Sequence, residues 1–131
     1  MTPRKPEDCD RLFAEHVNAG RLDELVALYE PTAVLLGVDR QAAVGPAAIR
    51  AALGALIESR AVMRMNVVRT VRAGDDLAML YNHWSMEAKG PDGSPVTMSG
   101  RAIEVVRRQP DGTWRFLIDD PIAGSEPDTS A

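Results

Sequence analysis

Cysteine is nearly absent from this 131-residue chain: Cys9 stands alone, which excludes the intrachain disulfide framework of small secreted scaffolds and fits a reducing compartment. Aromatic residues are also sparse at 5%. No apolar run approaches membrane-spanning length, and the amino terminus, MTPRKPEDCD, has no apolar signal core after its basic residues. These features predict a soluble, cytoplasmic protein with no membrane association. Positive charge is in deficit, with 15 Lys and Arg against 19 Asp and Glu, a net −4. That sign opposes binding to a phosphate backbone, so no nucleic-acid partner is expected. The two histidines share no metal-ligand spacing with each other or with Cys9, so no metal is expected. Ser85, Ser94 and Ser99 lack the sharp Gly-x-Ser-x-Gly setting of an exposed nucleophile. Gly90-Pro91-Asp92-Gly93 is turn chemistry, not a phosphate cradle, so no cofactor is expected.

What is present is enough for one core, with 45% hydrophobic and 26% charged residues. Cys9, Leu12, Phe13, His16 and Val17 recur at three- and four-residue steps, the stripe of a first helix from Pro6 to Asn18 that Gly20 ends. Leu22, Leu25, Val26 and Tyr29 repeat the spacing in a second helix that Pro31 stops. Ala33–Leu36 reads as a strand, with a second short one over Gln41–Val44. Gly45-Pro46 opens a third helix, in which Ile49, Leu53, Leu56 and Ile57 form the buried face. From Val62 the period becomes alternating, and three or four longer strands follow, broken by turns at Ala73-Gly74-Asp75, Gly90–Gly93 and Pro110–Gly112. Helices followed by antiparallel strands predict an α+β domain over residues 6–121, with helices covering one face of a curved sheet. Residues 122–131 are small and polar and predict a mobile tail.

The last hairpin, GRAIEVVRRQPDGTWRFLIDDP, carries acids inside strands. A two-residue Asp111-Gly112 turn sets Pro110 against Thr113 and Glu104 directly opposite Asp119. A three-residue Pro-Asp-Gly loop with a bulge slips the pairing by one and sets Glu104 against Ile118; the sequence alone does not choose. Where the acids do pair, like charges repel, and one holds its proton near neutral pH unless solvent or an arginine intervenes. Arg101, Arg107, Arg108 and Arg115 are the candidates for such an arginine.

Asn18-Ala19-Gly20 with Arg21–Leu25, then Tyr29, the Ala33–Leu36 strand, Gly45–Arg50 and the closing hairpin together resemble the nuclear-transport-factor-2-like superfamily, in particular its ketosteroid-isomerase-like and polyketide-cyclase-like (SnoaL-like) members. The resemblance spans Leu12 to Pro121. It implies a cone-shaped α+β fold with an internal pocket, usually a homodimer. The tyrosine of ketosteroid isomerases falls at Phe13, which has no donor; the base falls near Gly37, with Asp39 two residues on; and the third acid falls at Glu104. Steroid isomerisation by that mechanism is therefore not expected. The resemblance turns Glu104, Leu117 and Asp119 into the pocket and makes Asp119 the candidate acid–base carboxylate.

On the strand Leu77–Met86, alternation separates Tyr81 and His83 from Asn82 and Trp84. With the second pair inward, the expected pocket residues are Phe13, Tyr29, Asn82, Trp84 and Leu117, and the expected catalytic pair is Asp119 and Glu104. His83 is a possible proton shuttle but more ordinary as a surface residue. In the Glu104–Asp119 register, Ile103, Val105, Trp114, Phe116 and Ile118 face away from the pocket and predict a homodimer through the sheet. Two functions follow: an isomerase, cyclase or dehydratase acting on a hydrophobic carbonyl compound, or a non-catalytic ligand-binding or dimerisation module.

Overall fold

A computed structural model describes residues 2–125. Helix α1 (Asp8–Ala19) starts where the Asp8 carboxylate accepts the amides of Arg4 and Lys5 at 3.0 and 3.2 Å. It ends at Gly20, whose φ of 70° lets Arg21 N–H return to the His16 carbonyl at 2.9 Å. The expected second helix is shorter than its apolar spacing suggests. Helix α2 spans only Leu22–Val26, and Tyr29 instead opens strand β1 (Tyr29–Leu36). Pro31 explains this, because it drives the preceding residue toward extended backbone. It lies where the pairing of β1 shifts register between Tyr29 and Val34, so its missing N–H leaves no ladder position empty.

Strand β2 (Ala42–Val44) folds back on β1, and α3 (Pro46–Glu58) begins with proline in its first turn. Strands β3 (Val62–Ala73), β4 (Leu77–Lys89), β5 (Pro95–Arg108) and β6 (Trp114–Asp120) follow as hairpins. The six-stranded order is β2-β1-β6-β5-β4-β3, antiparallel except where β1 runs parallel to β6. The sheet is curved and unclosed, and the helices cover its concave face: the α+β cone. Leu12, Leu25, Ile49, Leu80, Val106 and Phe116 are fully buried between these layers. Among the described residues no helix is long and apolar enough to cross a membrane.

Two outward assignments are corrected. Trp114 and Phe116 are buried within the single chain, at 2% and 0% exposure, whereas Ile118 is 44% exposed. A bulge in the β5–β6 ladder between Val105 and Val106 accounts for this: Val106 pairs with Phe116 and Val105 with Ile118, so Leu117 is the extra residue. An extra residue resets alternation, and Phe116 and Asp119 both turn inward. Of the expected tail, Ile122 packs on the core and Gly124 N–H donates to the Arg101 carbonyl at 2.8 Å; residues 126–131 lie outside the described residues.

Candidate active site

The cone encloses a cavity of about 580 Å³. One wall is the sheet, where Met63, Met86 and Met98 stand directly opposite one another on β3, β4 and β5, and Met65, Trp84 and Gly100 form the next row. All but Gly100 line the cavity, and Gly100 leaves the space that the Trp84 indole fills. The indole N–H donates to the Pro121 carbonyl at 2.7 Å, which fixes the ring. The opposite wall is α3, through Ala52, Leu53, Ala55 and Leu56, and the mouth is the β1–β2 loop with Val38, Asp39 and Gln41. Arg40, at a φ of 67°, ties that loop to Asp120 by two bonds of 2.6 and 2.9 Å.

The polar groups converge at one end. Glu104 of β5 pairs with Asp119 of β6, and both line the cavity at 2% and 5% exposure. The turn is the three-residue one, since Gln109 N–H bonds the Thr113 carbonyl at 2.7 Å and Gly112 has a φ of 84°. The turn alone would leave Glu104 against Ile118; the Leu117 bulge restores the Glu104–Asp119 pairing. Tyr29 donates its hydroxyl to Asp119 Oδ2 at 2.5 Å and packs on Phe116, with ring centroids 4.9 Å apart. The phenol near the acids is thus supplied by β1, while Phe13 on α1 lines the cavity with an edge-to-face contact to Phe116.

Asn82 of β4 is fully buried, and its Nδ2 donates to Glu104 Oε2 at 2.9 Å and to Asp10 Oδ2 at 3.1 Å. Asp10, on α1, is the site residue that sequence reasoning missed. Burial pushes its carboxyl up to about 6, against the hydrogen bonds of Glu104 and Asn82. Burial likewise raises Asp119 to about 7, opposed by the Tyr29 bond and reinforced by the charges of Asp10 and Asp120. Glu104 lies well above the carboxylate range, through burial first and then the charges of Asp10 and Asp119. Tyr29 is held far above its usual value by burial and by Asp119, so it remains a donor.

None of the four candidate arginines hydrogen-bonds Glu104 or Asp119; Arg107 is committed to Glu30 and Arg108 to Asp76. Of the expected lining, Phe13 and Trp84 face the cavity, while Tyr29 and Asn82 stand behind the acids they bond. Leu117 does not line it, because the bulge removes it from the inward set. Tyr81 and His83 lie on the other face of β4 from buried Asn82 and Trp84. A Cβ on Gly37 would fall 2.5 Å from the carboxylate of Asp39, so that loop acid occupies the space a residue-37 side chain would fill.

The profile of the SnoaL-like domain matches residues 10–116. No functionally curated protein matches the chain. Among solved structures, a putative calcium/calmodulin-dependent protein kinase II association domain from Xanthomonas campestris superposes with a TM-score of 0.77 at 18% identity, covering 89% of this chain and 84% of that one. A ketosteroid isomerase-like protein from Erwinia carotovora atroseptica gives 0.76 at 18% identity, with 86% and 88% covered. The epoxide hydrolase/cyclase-like enzyme SalBIII, of pyran ring formation in polyether salinomycin, gives 0.63 at 16% identity, with 86% and 85% covered. Identities this low establish a shared fold.

Proposed function

The chain belongs to the SnoaL-like domain family, and on that premise we propose that it is a small-molecule enzyme moving protons on a hydrophobic carbonyl compound, as an isomerase, cyclase or dehydratase. The observation that carries this reading is that Asp119 and Glu104 lie together at one end of a largely apolar cavity. A carboxyl titrating near neutrality is poised both to take and to return a proton. In this reading Asp119 removes a proton from the carbon beside the carbonyl, and the proton on Glu104 meets the negative charge that develops on oxygen. Asp119 then delivers its proton to a second carbon, or to the departing hydroxyl in a dehydration. Tyr29 and Asn82 orient the two carboxyls, and the methionine wall excludes water from the step. The names of the ketosteroid isomerase-like and cyclase-like neighbours support this class of chemistry.

A non-catalytic binding module is favoured by Phe13 and Gly37 at the positions where ketosteroid isomerases carry a tyrosine and a base, and by the likeness to an association domain. One experiment separates the two. Thermal stabilisation is screened against aromatic, steroid and polyketide-like ketones, where a ligand at about 100 times its Kd adds about 2.7 kcal/mol. Each binder is then incubated with enzyme in D2O and its carbon-bound deuterium followed by NMR. Exchange that is lost in Asp119→Asn supports the enzyme; selective binding without exchange supports the module; no binding sinks both.

A further inference from the structure

The polar end of the cavity has more hydrogen-bond acceptors than donors. Its carboxyls are those of Asp10, Glu104 and Asp119, and Asn82 adds a carbonyl oxygen. The donors are the Tyr29 hydroxyl and the Asn82 amide, both already engaged. A proton held between Glu104 and Asp10 joins those two acids. No other donor among the described residues reaches Asp10 Oδ1, Asn82 Oδ1 or Glu104 Oε1, all of them buried. Among the described residues no lysine, arginine or histidine lines the cavity, and the remaining polar side chains are Asp39 and Gln41. Arg40, at the mouth, is spent on Asp120.

A carboxylate ligand would add acceptors and charge to a site with few free donors, and a carbonyl compound has only the proton on Glu104, otherwise shared with Asp10, to meet its oxygen. A metal ion is not an obvious substitute, since the described residues contain no group of three His, Cys, Asp or Glu placed to hold one. We infer that the cavity takes a lipophilic amine, bound as its ammonium ion with N–H groups directed at the Glu104 and Asp119 carboxyls. This rests on reading the cavity as the ligand site, and it adds a basic nitrogen to the hydrophobic compound proposed above. The hydrocarbon part lies against Met63, Met65, Met86 and Met98, whose flexible thioethers adapt to irregular shapes and contact aromatic edges well. Trp84 adds an aromatic ring to the same lining. An anion would meet the like charge of Asp119, with that of Asp10 behind it.

The test uses three probes of one shape: 2-naphthylmethylamine, 2-naphthylmethanol and 2-naphthoate, titrated calorimetrically into the intact protein at pH 7.5. The amine is expected to bind at least tenfold more tightly than the alcohol, with the carboxylate weakest, and Asp119→Asn to erase the amine's advantage. An alcohol equal to or tighter than the amine overturns the amine assignment and leaves the cavity as a ligand site. A carboxylate that binds best overturns the charge argument. Failure of all three to bind overturns this assignment and the reading of the cavity together.

Discussion

Asp119 is a buried carboxyl with one strong donor, Tyr29, and no cation among its bonded partners, and that combination governs how the protein responds to pH. Because burial raises Asp10, Glu104 and Asp119, the folded state binds protons that the unfolded chain releases above about pH 4. Their contribution to stability is complete below that pH and is lost as pH climbs, through about 6 for Asp10 and about 7 for Asp119, with Glu104 acting in the same direction. Asp8 and Asp120 act in the opposite sense. Backbone bonds and Arg11 for Asp8, and Arg40 for Asp120, outweigh burial and lower these acids, so their contribution disappears as pH falls below the ordinary carboxylate range. The urea midpoint should therefore be higher at pH 5 than at pH 8, and Asp119→Asn should narrow the gap; a gap unchanged by that substitution would mean that Asp119 is solvated. Glu104 and Asp119 were visible in the sequence as acids interrupting strands. Asp10 was visible only in hindsight: it lies three residues before Phe13 and seven before Val17, on the same helical face, but a search for apolar periodicity passes over an acid.

At the scale of elements, the punctuation of the chain located the hairpins, because Gly74, Gly93 and Gly112 all adopt the positive φ their turns require. The inward and outward faces of β6 were not legible in the same way. They depend on a bulge with no local signature, and the expected pairing of Glu104 with Asp119 arises from two compensating one-residue offsets, a three-residue turn and the extra Leu117. Similarly, Tyr29 fits a helical stripe, and its pairing with Phe116 of β6, two residues ahead of Pro31, makes it a strand residue. The row formed by Met65, Trp84 and Gly100 gives the element-scale prediction. A methyl group at residue 100 would stand 2.8–3.0 Å from the Trp84 indole, which is held by its bond to Pro121. Gly100→Ala should cost about 1–3 kcal/mol, as overpacking does. It should also shift tryptophan emission as the ring moves, and a variant with wild-type stability and emission would refute the fixed indole.

For the molecule as a whole, the inward turn of Trp114 and Phe116 removes two large side chains from the outer sheet face and makes a substitution at Trp114 a test of core stability instead of assembly. That face carries an apolar row crossing all six strands: Val71, Met79, Val105, Ile118, Val34 and Val44, each opposite the next in the ladder. Ile103 and its partner Tyr81, beneath the guanidinium of Arg69, flank it two register positions along from Val105 and Met79. Strands about 4.8 Å apart make such a row about 24 Å along the curved sheet, and its middle can lie against its own copy about a two-fold axis. A second copy of this chain is the proposed occupant, and Ile118, at the middle of the row and 44% exposed in the single chain, is the position where the proposal is most vulnerable. Ile118→Lys costs the monomer little, since the side chain already reaches solvent, but a two-fold contact would bring the two new charges close together. Sedimentation at micromolar concentration should give a dimer for the wild type and a monomer for Ile118→Lys, with the circular dichroism of both unchanged. A wild-type monomer, or a dimer that survives both Ile118→Lys and Val105→Lys, would leave this face without the partner proposed for it.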